Sequence, residues 1–192
     1  MKARESGMPE APCWESFFDP QGVLDRLRFP RGTECNVVEF GCGYGTFTLP
    51  AAQRVGGVVT ALDIEPALVM TVQRRAQELG LANVRAEVRD FVENGCGVID
   101  GSQSHAMIFN LLHIEEPLAL LREAHRALRI SGVLEVIHWR SDIVTPRGPP
   151  LSIRPTPRQC ADWALQAGFE HVEHVALGPS APYHFGLRAE KA

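Results

Sequence analysis

The segment that most constrains this chain is Val38-Glu39-Phe40-Gly41-Cys42-Gly43-Tyr44-Gly45-Thr46, a β-branched run that breaks into three alternating glycines. Glycines there let the backbone turn sharply and approach a ligand without Cβ atoms in the way, while a following helix offers free N–H groups. A second apolar run, Gly57 to Leu62, ends in Asp63. A carboxylate at that place can accept hydrogen bonds from both hydroxyls of a ribose. A nicotinamide-type fingerprint needs its third small residue where this chain has Thr46, so the dinucleotide register is not met. Loop and acid together point to a nucleoside ligand. Cys42 is read as a small residue that fits between two glycines, not as a reactive thiol.

Apolar runs alternate with helical patterns along the rest of the chain, the order of an α/β sheet with crossover helices. Strands are expected over 36–40, 57–63, 83–88, 105–110, 133–139, about 170–177 and 183–188. Helices are expected over 46–54, 65–79, 115–129 and 158–167, with Gly80, Gly132 and Gly168 as stops. Residues 90–104 read as a loop or one short turn, and 141–157 as a Pro/Arg/Gly-rich loop. The short Gly178-Pro179-Ser180-Ala181-Pro182 connection predicts a closing hairpin that puts one antiparallel strand at the end, the outer edge, of an otherwise parallel sheet. The fold expected is α/β: a Rossmann-like, seven-stranded, mostly parallel sheet with one antiparallel strand and helices on both faces. At 192 residues it forms one domain, with 1–33 as a helical cover segment and 34–192 as the catalytic core.

Glu39-Phe-Gly41-Cys-Gly43-Tyr-Gly45, Asp63-Ile64, Arg89-Asp90-Phe91 and Phe109-Asn110-Leu111-Leu112-His113 occur in the order and spacing of four motifs. Through them the chain resembles the class I S-adenosylmethionine-dependent methyltransferase family, over almost its whole length. The resemblance implies S-adenosylmethionine as cofactor and S-adenosylhomocysteine as product. It implies that Glu39, Gly41, Gly43 and Gly45 form the cofactor loop and that Asp63 takes the ribose. Ile64 would pack on the adenine, Asp90 and Phe91 would hold the adenine edge, and Asn110 would belong to the same site. Ile130-Ser131-Gly132 stands where the family has Pro-Gly-Gly. The Asn/Asp-Pro-Pro-aromatic sequence of enzymes that methylate base amines is absent.

Methyl transfer from a sulfonium is an in-line displacement that tolerates an apolar, aromatic-lined site; Tyr44, Phe91 and Trp14 are the lining groups expected. His113 and His138, at the ends of the fourth and fifth strands, are candidate general bases, and the alternative for each is a hydrogen-bonded structural histidine. Arg147 and Arg154, in a loop that also holds Arg140 and Arg158, are candidates for an anionic group on the acceptor, against a solvated-loop reading.

A net charge of −4 without a dense basic run argues against broad nucleic-acid binding. The five cysteines include no C-x-x-C pair, which argues against a zinc site or a disulfide framework. No apolar run reaches membrane-spanning length and Met1–Glu5 is not an apolar signal segment, so a cytoplasmic enzyme is expected. The function expected is methyl transfer to a small molecule. A protein or RNA methyltransferase and a non-catalytic S-adenosylmethionine-binding protein are the alternatives. The acceptor, the atom methylated and the oligomeric state are not encoded in these motifs.

Overall fold

The computed structural model describes residues 8–192, so the reading of Met1–Glu5 lies outside the described residues. In chain order the elements are α1 (Ala11–Glu15), α2 (Pro20–Arg26), β1 (Val37–Phe40), α3 (Thr48–Arg54), β2 (Val59–Asp63), α4 (Pro66–Glu78), β3 (Val84–Val88) and β4 (Gln103–Phe109). They continue with α5 (Pro117–Ala127), β5 (Leu128–Trp139), α6 (Pro157–Gln166), β6 (Phe169–Val175) and β7 (His184–Lys191). The sheet runs β3-β2-β1-β4-β5-β7-β6, parallel throughout except for β7, which pairs antiparallel with β5 and β6. This is the Rossmann-like, mostly parallel arrangement expected.

Strand parity sorts the core into two layers. Val37, Val59, Met107, Ile137 and Trp139 face α1, α2 and α3, and Ala61 on the same face packs under α4 through Val69 and Val72. Their neighbours Val38, Phe40, Ala106, Ile108 and Val136 face α5 and α6. All four residues of β1 are buried, as a central parallel strand covered on both sides requires. Proline at the start of α4, α5 and α6 fits the first helical turn, where its missing N–H costs nothing.

Two expectations are corrected. The helix expected to run to Arg129 and stop at Gly132 ends at Ala127, and Leu128 enters β5 directly, with Gly132 inside that strand. The Lys191 ammonium donates to the carbonyls of His125 and Leu128 at 2.7 and 2.8 Å, so a residue from β7 satisfies the helix end in place of a glycine stop. The antiparallel strand is not at the edge: β7 inserts between β5 and β6, leaving β6 outermost. The 90–104 segment is a loop, and 141–157 is a loop with one 3₁₀ turn at Leu151–Ile153. No helix among the described residues is long and apolar enough to cross a membrane.

Candidate functional site

The carboxyl ends of β1, β2, β3, β4 and β5 open into a cavity of about 820 Å³, at the edge where open α/β sheets bind ligands. Its floor is the turn from β1 into α3. Gly41, Gly43 and Gly45 hold φ values of +74°, +52° and +79°, a region other residues enter only under strain. The Gly43 N–H donates to Asp63 Oδ2 at 2.9 Å and the Glu65 N–H donates to Oδ1 at 3.0 Å. Burial pushes the Asp63 carboxyl above its usual range, against the lowering by these backbone donors. Glu39, 2% exposed, accepts from the Thr48 hydroxyl; burial pushes its pKa up to about 8, so at neutral pH it holds a proton.

Glu39, Gly41, Gly43, Asp63, Ile64, Asp90, Phe91, Asn110 and Trp14 all line the cavity. Tyr44 and Gly45 do not line it. The Tyr44 hydroxyl donates to the Pro9 carbonyl at 3.2 Å and its own carbonyl accepts from Arg75 at 2.8 Å, so this residue ties down the segment before α1. A Cβ on Gly45 would meet Val72 at 3.1 Å; that glycine is required for packing against α4.

Neither histidine lines the cavity. Alternation along β5 sends Trp139 to the cavity face and His138, fully buried, to the α5/α6 face, where Nε2 lies 3.3 Å from His113 Nδ1 and Nδ1 donates to the Trp139 carbonyl at 3.2 Å. Burial, with His113 beside it, lowers the His138 pKa to about 3, so it stays neutral across the physiological range. His113 instead borders a separate hollow of about 240 Å³ with Arg154 and Gln159. The structure thus places the two candidate bases as a buried pair outside the cavity lining.

The arginines divide likewise. Arg154 is buried, donates to the carbonyls of Pro149, Arg140 and Arg147 at 2.7, 3.0 and 3.2 Å, and lies 5.5 Å over the Trp139 ring. Three of its five N–H donors hold the loop together, and it lies outside the lining of the large cavity. Arg147 is exposed and outside the cavity lining.

Sequence reasoning missed Thr46 and Phe47, after the glycine turn, and Phe109 and Trp139, at the ends of β4 and β5, all of which line the cavity. Phe109 and Trp139 end their strands with the same parity as Met107 and Ile137, and a parity count from those core residues could have found them. Also unforeseen is the left-handed backbone of Asn110, φ +59°, fixed by its N–H donating to the Ile137 carbonyl at 2.7 Å.

The lining fits the cofactor that the sequence resemblance implies. A Cβ on Gly43 would meet nothing nearer than Met8 Sδ at 3.6 Å, so the space over this glycine is left for a ligand rather than filled by protein. Asp63, at the strand end, has the donor-free chemistry a ribose diol needs.

Comparison with known proteins supports the fold and the cofactor. The methyltransferase domain family matches residues 37–132. The crystal structure of a SAM-dependent methyltransferase from Aquifex aeolicus superposes with a TM-score of 0.80 at 25% identity, over 95% of each chain. Aklanonic acid methyltransferase from Streptomyces sp. (strain C5) is 39% identical over 78 residues, 38% of this chain and 34% of that protein. Malonyl-[acyl-carrier protein] O-methyltransferase from Paenibacillus sp. (strain JDR-2) is 35% identical over 66 residues, 34% of this chain and 24% of that protein. The chain thus spans about a third or less of the length of these two curated relatives.

Proposed function

Because this chain belongs to the S-adenosylmethionine-dependent methyltransferase family, we propose that it transfers the methyl group of S-adenosylmethionine to a small-molecule acceptor by in-line displacement. The observation that carries this reading is the single cavity shared by the glycine turn, Asp63 and the ends of β4 and β5. Its volume of about 820 Å³ lies toward the upper end of small-molecule sites, so a cofactor and a small acceptor fit side by side.

When bound, the cofactor supplies a methyl carbon on a cationic sulfur. Asp63 would accept from the ribose hydroxyls, Ile64 would cover one adenine face, and Asp90 with Phe91 would hold the adenine edge. The glycine turn lets the chain approach closely, and Trp14, which packs on Phe18 and Trp139 at centroid distances of 5.0 and 6.2 Å, would exclude water from above. The chain's main contribution is positioning, which in-line transfer rewards by up to roughly 7–11 kcal/mol. In this scheme the described part of the amino-terminal segment, residues 8–33, would act as cover and 34–192 as catalytic core. The enzyme would work in the reducing cytoplasm, a reading supported by five free cysteines.

Calorimetric titration with S-adenosylmethionine, S-adenosylhomocysteine and NADH tests the proposal. Micromolar binding of the adenosyl compounds and none of NADH is expected; the reverse pattern, or no binding to folded protein, overturns it. One relative is named for methyl transfer to aklanonic acid, which supports screening small organic acceptors first; another is named for an acyl group carried on a protein.

A further inference from the structure

The second hollow, of about 240 Å³, lies between the β4–α5 connection and the 3₁₀ turn and residues that lead into α6. Its volume falls below the range of sites that hold whole cofactors or drug-sized molecules, and suits a group of a few heavy atoms. Arg154, Ser152, Gln159 and Trp163 bring hydrogen-bond donors to it. The one acid of its lining, Glu115, is an exposed residue, so water screens its charge.

Arg154 is only 9% exposed. A charge so far from water is ordinarily paired, as it is in the other buried arginine among the described residues: Arg54, 5% exposed, has Asp25 Oδ1 at 2.9 Å. Arg154 has no such acid. Burial pulls its pKa down, with no carboxylate acting to raise it. The Trp139 ring, 5.5 Å from Cζ, covers the guanidinium without neutralising it.

The donor count leads to the same place. Nε, Nη1 and Nη2 each give one N–H to the carbonyls of Pro149, Arg140 and Arg147, which leaves one N–H on each terminal nitrogen. Two such groups match the paired oxygens of a carboxylate or a phosphoryl group. Gln159 is committed at one end only: its carboxamide oxygen accepts from the Thr156 N–H at 2.8 Å and from the Thr156 hydroxyl at 3.1 Å. Capping of α6 therefore uses the oxygen and leaves the NH₂ end of Gln159 to donate. The Trp163 indole N–H is a donor only.

We propose that this hollow is a second ligand site, separate from the cofactor cavity, which takes one small oxyanion on the two remaining N–H groups of Arg154, with Gln159 and Trp163 completing its hydrogen bonds. Carboxylate, phosphate and sulfate share the required chemistry. Ile114 and Glu115 line both the hollow and the large cavity, so an anion here braces the β4–α5 connection that walls the cavity without entering it.

Equilibrium dialysis of the whole chain against radiolabelled acetate, phosphate or sulfate, in excess chloride at constant ionic strength, tests this. Saturable retention of about one anion per chain, with a dissociation constant of about 1 mM or tighter, is expected for at least one of the three. The anion retained most tightly distinguishes a carboxylate ligand from a phosphate or sulfate one. Saturating S-adenosylhomocysteine is expected to leave retention within about twofold. Gln159→Glu keeps an oxygen to cap α6 and sets a negative charge in the hollow, so it is expected to fold as the parent does and to weaken retention at least about ten-fold. Should that variant fail to fold, Arg154→Lys, which keeps the charge but loses the paired N–H groups, is expected to weaken it by about three-fold or more. Retention of none of the three anions overturns the proposal, as does unchanged retention in the folded variant or displacement by S-adenosylhomocysteine. Retention is measured without any adenosyl compound, so its failure leaves the methyl-transfer reading untouched.

Discussion

The Gly43 N–H donates to Asp63 Oδ2 at 2.9 Å, so the turn after β1 and the acid that ends β2 are joined before any ligand arrives. This bond orients the carboxylate, and the Glu65 N–H on its other oxygen fixes its plane. An acid pre-positioned in this way loses little entropy when a diol binds.

Asp63→Ala is therefore expected to weaken S-adenosylhomocysteine binding by about 1.5–3 kcal/mol through lost charge-assisted hydrogen bonds. Calorimetry measures it directly, and an unchanged dissociation constant would remove Asp63 from the cofactor site.

The glycines of the turn separate stability from binding. A Cβ on Gly41 would come within 2.8 Å of Leu111 Cδ1, whereas one on Gly43 meets only Met8 Sδ at 3.6 Å. Both positions have positive φ, so each alanine variant carries about 1–3 kcal/mol of backbone strain. Gly41→Ala is expected to show the larger fall in Tm, at about 2–4 °C per kcal/mol, and Gly43→Ala the larger loss of S-adenosylhomocysteine affinity.

Glu39 gives the apoprotein a basic-side pH dependence. Its folded pKa of about 8 lies above the ordinary 4.5, so between these values the native state binds a proton that the unfolded state has released. The stabilisation is complete below about pH 4.5 and lost as the pH rises through about 8, with a slope of at most about 1.4 kcal/mol per pH unit. Urea unfolding between pH 6.5 and 8.5 is expected to show a decline that Glu39→Gln flattens.

His138 has the opposite sign. Its folded pKa of about 3 lies below the ordinary 6.5, so its contribution is present above about pH 6.5 and lost as the pH falls toward 3. His138→Phe is expected to be less acid-sensitive than the parent in the same unfolding assay. Equal acid slopes would mean that the imidazole is not held neutral by its surroundings.

The two loop arginines are expected to part company. Arg154→Ala removes donors from three carbonyls and is expected to lower stability by about 3 kcal/mol, taking hydrogen bonds to a charged group at about 1.5–3 kcal/mol each without full additivity. Arg147→Ala, at an exposed position, is expected to stay within about 0.5 kcal/mol of the parent. Guanidinium chloride unfolding of both variants decides it.

Much of the fold and the charged half of the site could be read from the sequence because they rest on local rules. Three alternating glycines after a β-branched run permit one turn, an acid at the end of the next apolar run must lie beside it in a parallel sheet, and 3.6-residue periodicity marks the helices that cover it. Asp63 reaches the cavity through those rules, while Asp90 and Phe91 are legible only through the motif resemblance. The aromatic half of the site, the fate of the histidines and the choice between the arginines depended on contacts distant in sequence. Trp139 and His138 are neighbours, and which of them faces the cavity is set by how β5 pairs with β4 and β7. Arg154 is fixed by carbonyls that the loop brings to it only once folded, and Asn110 is held left-handed by a carbonyl on β5. Composition and periodicity determine which residues end strands at the ligand edge. The packing of the sheet, in which each strand's parity is fixed by its partners, decides which of those residues meet there.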